Sequence, residues 1–106
     1  MALSLPMAIE SAHQGHPDFR VEGKIFATLG YPDRTWGMVK ITPKLQQLLL
    51  KSEPGVFVPV KGTWGLRGAT NVLLRRAKRA SLRRALADAW YQAAPGRLTA
   101  EIDIRE

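Results

Sequence analysis

The chain has 106 residues, of which 45% are apolar, a size and composition that predict one globular domain with a modest core. Its formal net charge of +7 arises from 16 Lys and Arg against 9 Asp and Glu. The absence of cysteine excludes disulfides and thiolate chemistry, and it leaves only His13, His16 and carboxylates as zinc ligands.

The first residues, MALSLPMAIES, have no basic segment and are interrupted by Pro6. They therefore predict neither a signal peptide nor a membrane span. Ala2–Leu5 is typical of the last turn of a helix, since a proline disfavours helical geometry in the residue before it. From these features we expect a cytoplasmic protein without a membrane segment, monomeric by default.

Three strands are predicted in the first half of the chain. The turn-rich residues 13–18 precede a strand at Phe19–Val21, and Glu22–Gly23 suits a two-residue hairpin turn into Lys24–Leu29. Alternation along that second strand places Phe26 on the same face as Lys24 and Thr28. A proline turn at Tyr31–Arg34 then leads to a third strand at Trp36–Ile41, which completes a meander.

A helix is predicted after the meander, because Thr42 can cap it and Pro43 suits its first position. Leu45, Leu48 and Leu49 form its apolar stripe, and Pro54–Gly55 ends it. Val56–Val60 then predicts a short strand, which Pro59 places at an edge or a bulge.

The remainder predicts a loop, a strand and a long helix. Three glycines make Lys61–Gly68 a permissive loop, Thr70–Leu74 suits a strand, and a helix begins around Ala77 and ends at Pro95–Gly96. The helix carries the clearest amphipathic stripe in the chain: Leu82, Ala85, Leu86, Ala89, Trp90 and Ala93. We expect one domain over residues 1–96. Residues 97–106 form a tail that suits an extra strand or disorder.

Positive charge is concentrated in the stretch from Lys61 to Arg84. It contains no Asp or Glu, and the rest of the chain has eight bases against nine acids. The cations of this stretch are Lys61, Arg67, Arg75, Arg76, Lys78, Arg79, Arg83 and Arg84. Such a field attracts nucleic acid, anionic membranes or acidic partners.

Ordered motifs over roughly residues 2–98 resemble the MmcQ/YjbR family. They are Gly15–Val21, Gly23–Ala27, Val39–Pro43, Pro59 with Gly62–Gly65, and Ala89–Trp90 with Ala94–Pro95. The resemblance implies a CyaY-like, or frataxin-like, α+β fold in which a single twisted antiparallel sheet packs against helices. The family is described as DNA-binding, through a proposed double-wing arrangement of hairpin loops.

The chain departs from the family pattern in two places. Members usually carry one or two more helical turns before the position of Leu3, so we expect a stub of the first helix or a misassigned start codon. Members also usually open the last helix with acidic residues, whereas this chain has Lys78, Arg79, Arg83 and Arg84 there. Cations at a helix N-terminus oppose the dipole, which favours an anionic partner.

Two interpretations of the basic stretch remain open. Arg75, Arg76, Lys78, Arg79, Arg83 and Arg84 can neutralise phosphates, or they can form a solvated surface. Trp64 more often packs over a sheet in such a position, but with Lys61 and Arg67 nearby it can instead stack on a base. Arg34, at the tip of the Tyr31–Thr35 turn, is the matching candidate in the other wing.

Metal and catalytic sites are weakly indicated. His13, His16 and Asp18 have ligand-like spacing, but no predicted helix fixes their geometry, and the acidic ridge that frataxin uses for iron is missing. No serine lies in a nucleophile elbow, and Gly62–Gly68 lacks the Lys–Ser/Thr ending of a phosphate-binding loop. We therefore expect no cofactor and no enzymatic activity.

The sequence thus favours a non-enzymatic nucleic-acid-binding domain, with DNA preferred to RNA and little sequence specificity. The alternative is a protein- or small-ligand-interaction module that uses the sheet face around Phe26, Trp36 and Trp64.

Overall fold

The computed structural model describes residues 2–13, 15–30 and 33–96. In these residues a six-stranded antiparallel sheet has the strand order β1–β2–β3–β4–β6–β5. The strands are β1 (Ala8–His13), β2 (His16–Val21), β3 (Lys24–Leu29), β4 (Trp36–Lys40), β5 (Phe57–Pro59) and β6 (Ala69–Leu73). The helices are α1 (Pro43–Ser52), α2 (Thr63–Leu66) and α3 (Arg79–Ala93), and Ala2–Ser4 forms a 3-10 turn. This is the predicted α+β fold class, a single sheet packed against helices.

The predicted meander is present as β2, β3 and β4. Glu22 and Gly23 both have positive φ, 46° and 83°, as the expected two-residue hairpin turn requires. One strand was not predicted: β1 pairs with β2 along its whole length, from Ala8↔Val21 to His13↔His16. The expectation that residues 13–18 are turn-rich is therefore wrong for His16–Asp18, which lie in β2.

A bulge in β3 changes the predicted burial of Phe26. Phe19 pairs with Ala27 and Arg20 pairs with Ile25, so Phe26 is an extra residue opposite β2. Because a bulge interrupts the alternation of side chains, Phe26 and Ala27 both enter the core, at 0% and 3% exposure. The predicted placement of Phe26 on the same face as Thr28 is wrong.

The stripe of α3 packs against the sheet as predicted. Leu82 is partly buried, and the other five stripe residues are buried in one apolar core with Val21, Val39 and Val72. Trp90 is fully buried, and its Nε1 donates a hydrogen bond of 2.7 Å to the Pro6 carbonyl. This bond ties the N-terminal turn to the last helix.

The start of α1 also follows the prediction. The Thr42 hydroxyl accepts a hydrogen bond from the Leu45 amide at 3.3 Å, and Pro43 occupies the first turn. Leu45 and Leu49 are buried, whereas Leu48 is 49% exposed, so its predicted place in the buried stripe is wrong. β5 lies at the edge of the sheet, where Pro59 costs no ladder hydrogen bond.

Both long helices lie on the same face of the sheet. Residues of α3 pack on β2, β3 and β4, and Gln46 of α1 donates to the inward-facing Thr70. An apolar cavity of about 150 Å³ remains between α3 and this face. Its lining includes Phe19, Leu29, Leu74, Leu82 and Leu86. The predicted tail at 97–106 lies outside the described residues, as do Tyr31 and Pro32 of the predicted turn.

Candidate functional site

The fold divides the basic stretch into two groups that flank β6. Lys40 pairs with Ala69 at one end of this strand, and Trp36 pairs with Leu73 at the other. Four residue steps along the strand separate the two ends by about 13 Å. Lys61, Trp64 and Arg67 precede β6 and form what we call the Trp64 end. The cations from Arg75 onward follow β6 and form the Arg75 end.

The Trp64 end is a rigid segment, although the sequence predicts a permissive loop. Residues 63–66 form the short helix α2. A Cβ added to Gly65 would lie 1.8 Å from the Val60 carbonyl oxygen, and one added to Gly68, which has φ +111°, would lie 1.8 Å from the Ile41 carbonyl oxygen. These glycines therefore allow close packing of backbone on backbone, which no larger residue permits.

Buried Gln46 joins this segment to the sheet. Its Nε2 lies 3.0 Å from the Gly65 carbonyl, 3.2 Å from the Ala69 carbonyl and 3.0 Å from the Thr70 hydroxyl. Gln46 is only 3% exposed, so these bonds are shielded from water. No local pattern in the sequence indicates this role of Gln46, since its partners lie about twenty residues away along the chain.

Trp64 projects from this rigid segment into solvent. It is 60% exposed, and Leu66 beside it is 78% exposed. The Lys40 ammonium lies 5.4 Å from the centre of the Trp64 ring, within the range of a cation–π interaction. The expectation that Trp64 packs over the sheet is therefore wrong, and the exposed alternative describes the structure.

The Arg75 end is a turn followed by the start of α3. The amides of Arg76 and Ala77 donate to the Leu73 carbonyl, and the Leu74 amide donates to the Thr35 carbonyl. The last bond places the turn beside Arg34, which lies between β3 and β4. Arg34 and Arg75–Arg84 therefore share one end of the sheet, and all of these basic side chains are exposed: Arg34, Arg75, Arg76, Lys78, Arg79, Arg83 and Arg84.

One carboxylate lies close to this group. Hydrogen bonds from the Thr35 hydroxyl and amide, at 2.6 and 2.8 Å, hold the pKa of Asp33 below its usual value, and the charge of Arg75 lowers it further. Because Asp33 is a single exposed carboxylate among several cations, it offsets only part of the local positive charge.

Glu53 supplies the anionic group that the N-terminus of α3 lacks in its own sequence. Its Oε1 accepts a hydrogen bond of 3.0 Å from the amide of Lys78, the residue that precedes α3. Glu53 is 7% exposed, and its Oε2 has no hydrogen-bond partner among the described residues. Glu53 was not among the residues predicted from the sequence. The sequence feature that could have indicated it is an acidic residue at the C-terminal end of α1, where a negative charge interacts unfavourably with the helix dipole.

The basic stretch has no ion pairs within the described residues. Elsewhere in the described residues, a salt bridge joins Arg20 to Asp18, at 2.8 Å between Nε and Oδ1. A second bond of 3.0 Å from the same guanidinium occupies the other Asp18 oxygen, and these bonds raise the pKa of Arg20. Asp18 is thereby engaged on both oxygens, which argues against its use as a metal ligand with His16.

The two proposed wings do not meet. Arg34 lies at the Arg75 end and Trp64 at the opposite end, with the length of β4 between them. Of the residues named from the sequence, the fold therefore groups Arg34 with Arg75–Arg84, and it groups Lys61, Trp64 and Arg67 with Lys40. Phe26 is absent from both groups because it is buried.

Within the described residues there is no cluster of three or more His, Asp or Glu that could hold a metal ion. None of the helices in residues 2–13, 15–30 and 33–96 is long and apolar enough to span a membrane.

The chain was compared with models of known protein families and with curated proteins. A family model described as YjbR matches residues 3–92, which is most of the chain and includes both ends of β6. No curated protein is significantly similar to the chain.

Proposed function

The chain belongs to the YjbR family, and we propose that it is a non-enzymatic protein that binds nucleic acid, DNA before RNA, through contacts with the phosphate backbone. The observation that carries this proposal is the Arg75 end. Six cations from one turn and the first turns of α3 lie there beside Arg34, and the described residues provide them with no ion pairs.

The energetic cost of this arrangement supports a functional role. Like charges at successive positions repel, and cations at a helix N-terminus interact unfavourably with its dipole by about 0.3–1 kcal/mol each at exposed sites. Glu53 relieves part of this cost from another element. A bound phosphate would relieve the rest, because it pairs with the cations and also accepts from free amides of the helix.

The same geometry argues against strong sequence preference. The cations lie on a turn and on the exposed first turns of α3, whose other face packs on the sheet. Because one face of this helix is buried, only its exposed face and its N-terminal end are available to DNA. Long flexible side chains at its start are suited to phosphates, which position a protein without reporting base identity.

The proposal is tested by comparing two triple variants in DNA titrations at several salt concentrations. One variant replaces Arg75, Arg76 and Arg79 by Ala. The control replaces Lys24, Lys44 and Lys51 by Ala. These lysines are exposed and lie outside the basic stretch, and their loss removes the same formal charge. We expect the first variant to make the plot of log K against log salt shallower by about 2–3, and to weaken binding to all sequences alike.

The control should keep a slope within about 1 of the parent, since its lysines lie outside the proposed interface. Equal slopes for the two variants would show that binding depends on net charge alone, and the Arg75 end would lose its assigned role.

A further inference from the structure

On the outer face of the sheet, opposite the two long helices, the central strands carry partly exposed side chains. On β4 the inward positions Gly37 and Val39 are buried, whereas Trp36, Met38 and Lys40 are partly exposed. Strand pairing extends this face to Thr28 on β3 and Asn71 on β6. Ile9 and Val58, near the two edges, are 56% and 37% exposed.

Two tryptophans mark the ends of a line along this face. Trp36 and Lys40 point the same way, four residues apart on β4, so about 13 Å separates them. The Trp64 ring lies at the Lys40 end of this line, since its centre is 5.4 Å from the Lys40 ammonium. The third tryptophan, Trp90, is fully buried and takes no part.

Positive charge lies at both ends of this line. At one end Lys40 lies against Trp64, and the exposed Lys61 and Arg67 are three residues from Trp64 along the chain. At the other end, Arg34 precedes β4 and Arg75 follows β6, and both are exposed. Asp33, three residues before Trp36, accepts a hydrogen bond from Thr35 and lies near the charge of Arg75. Asp18, on the same sheet face, is fully buried and paired with Arg20. A polyanion that followed the line would therefore meet cations at both ends.

This combination matches the chemistry of a single strand better than that of a duplex. Aromatic rings flanked by basic side chains bind unpaired bases by stacking, whatever the base, because every base has a π face. In a duplex the base faces are covered by their neighbours, and only phosphates and groove edges are available. The 13 Å path holds about four nucleotides at the 3.4 Å spacing of a duplex strand, and fewer in an extended strand.

We propose that the outer face binds single-stranded nucleic acid, with unpaired bases stacked on Trp36 and Trp64 and phosphates held by the cations at both ends. This inference rests on the proposed function and names the form of nucleic acid and the second surface that the protein uses. Duplex binding through the Arg75 end alone does not require either tryptophan.

The experiment titrates labelled dT15, and separately a 15-base-pair duplex, against the parent, Trp64→Ala and Trp36→Ala at the same salt concentration. Stacking lost to alanine weakens binding about 5- to 150-fold per ring, so dT15 affinity should fall by that factor in each variant. Duplex affinity should stay within about twofold. Trp64→Phe and Trp36→Phe keep an aromatic ring and should recover most of the dT15 affinity.

Leu48→Ala is the matched control, because Leu48 is similarly exposed but lies on α1, away from the outer face. Trp36 is partly buried, so Trp36→Ala is accepted only if it melts cooperatively. Trp64→Ala changes an exposed side chain, so it provides the test even if Trp36→Ala unfolds.

Three outcomes separate the two proposals. Selective loss of dT15 binding supports the stacking surface. Unchanged dT15 affinity in Trp64→Ala and in a folded Trp36→Ala overturns it, while leaving phosphate binding at the Arg75 end intact. If the parent binds neither probe, both proposals are overturned, and the alternative of a protein- or small-ligand-interaction module takes their place.

Discussion

Replacing Gln46 by Leu should loosen the segment that presents Trp64. The Nε2 group has two hydrogens and three acceptors within 3.2 Å, so its bonds are shared among Gly65, Ala69 and Thr70. Each buried neutral hydrogen bond contributes about 1 kcal/mol net, and leucine fills a similar volume without donating. The Gly65 and Ala69 carbonyls keep one backbone donor each, from Gly68 and Val60. We therefore expect a loss of about 2 kcal/mol of unfolding free energy.

Urea unfolding followed by far-UV circular dichroism measures this loss, and a thermal melt should shift down by about 8–16 °C for a domain of this size. Gln47→Leu is the control, since Gln47 is the next residue of α1 and is exposed. It should change the free energy of unfolding by less than about 0.5 kcal/mol. Equal midpoints for the two variants would refute the clamping role of Gln46.

Two other predictions concern the core and the Arg75 end. Trp90→Ala should lower the free energy of unfolding by about 3–5 kcal/mol, because the ring is fully buried and donates to the Pro6 carbonyl. A cooperative melt near the parent temperature would contradict this role of Trp90 in the core. Asp33 has a lowered pKa in the folded state, so its contribution to stability is present above the unfolded pKa of about 3.9 and is lost as the pH falls through the folded value. When the pH is lowered from 5 to 3, Asp33→Asn should therefore lose less stability than the parent, as measured by urea midpoints. Equal losses of stability in the two proteins would exclude this contribution of Asp33.

The elements that the sequence predicts correctly are those with local signals. Thr42 and Pro43 specify the start of α1, Glu22 and Gly23 specify a hairpin, and the stripe of α3 specifies its buried face. Each signal depends on residues within one or two turns of the chain. The matching elements therefore follow from sequence alone.

The elements that were missed depend on partners distant in sequence or on pairing register. The β1 sequence, Ala8–His13, contains alanine, serine and glutamate, which are weak strand formers. Its strand conformation depends on pairing with β2. The bulge at Phe26 has no local signature, so alternation placed the residue on the wrong face. Glycines at 62, 65 and 68 predict flexibility, whereas two of them are required by close packing against Val60 and Ile41.

The candidate site was predicted in composition but not in arrangement. The sequence identifies the cations, yet only the pairing of β4 with β6 shows that they separate into two ends. The exposure of Trp64 likewise depends on Gln46 and on the steric limits at Gly65, which no local pattern reports.

The salt dependence of DNA binding by the parent chain tests the central claim most directly. If Arg75, Arg76, Lys78, Arg79 and Arg83 each neutralise one phosphate, log K should fall with log salt at a slope near −4.5, since each contact contributes about −0.9 on a duplex. Affinity should then fall several hundred-fold between about 50 and 200 mM salt. A slope between 0 and −1, or no binding to duplex or single strand at about 50 mM, would contradict the assignment of the Arg75 end as a phosphate-binding surface.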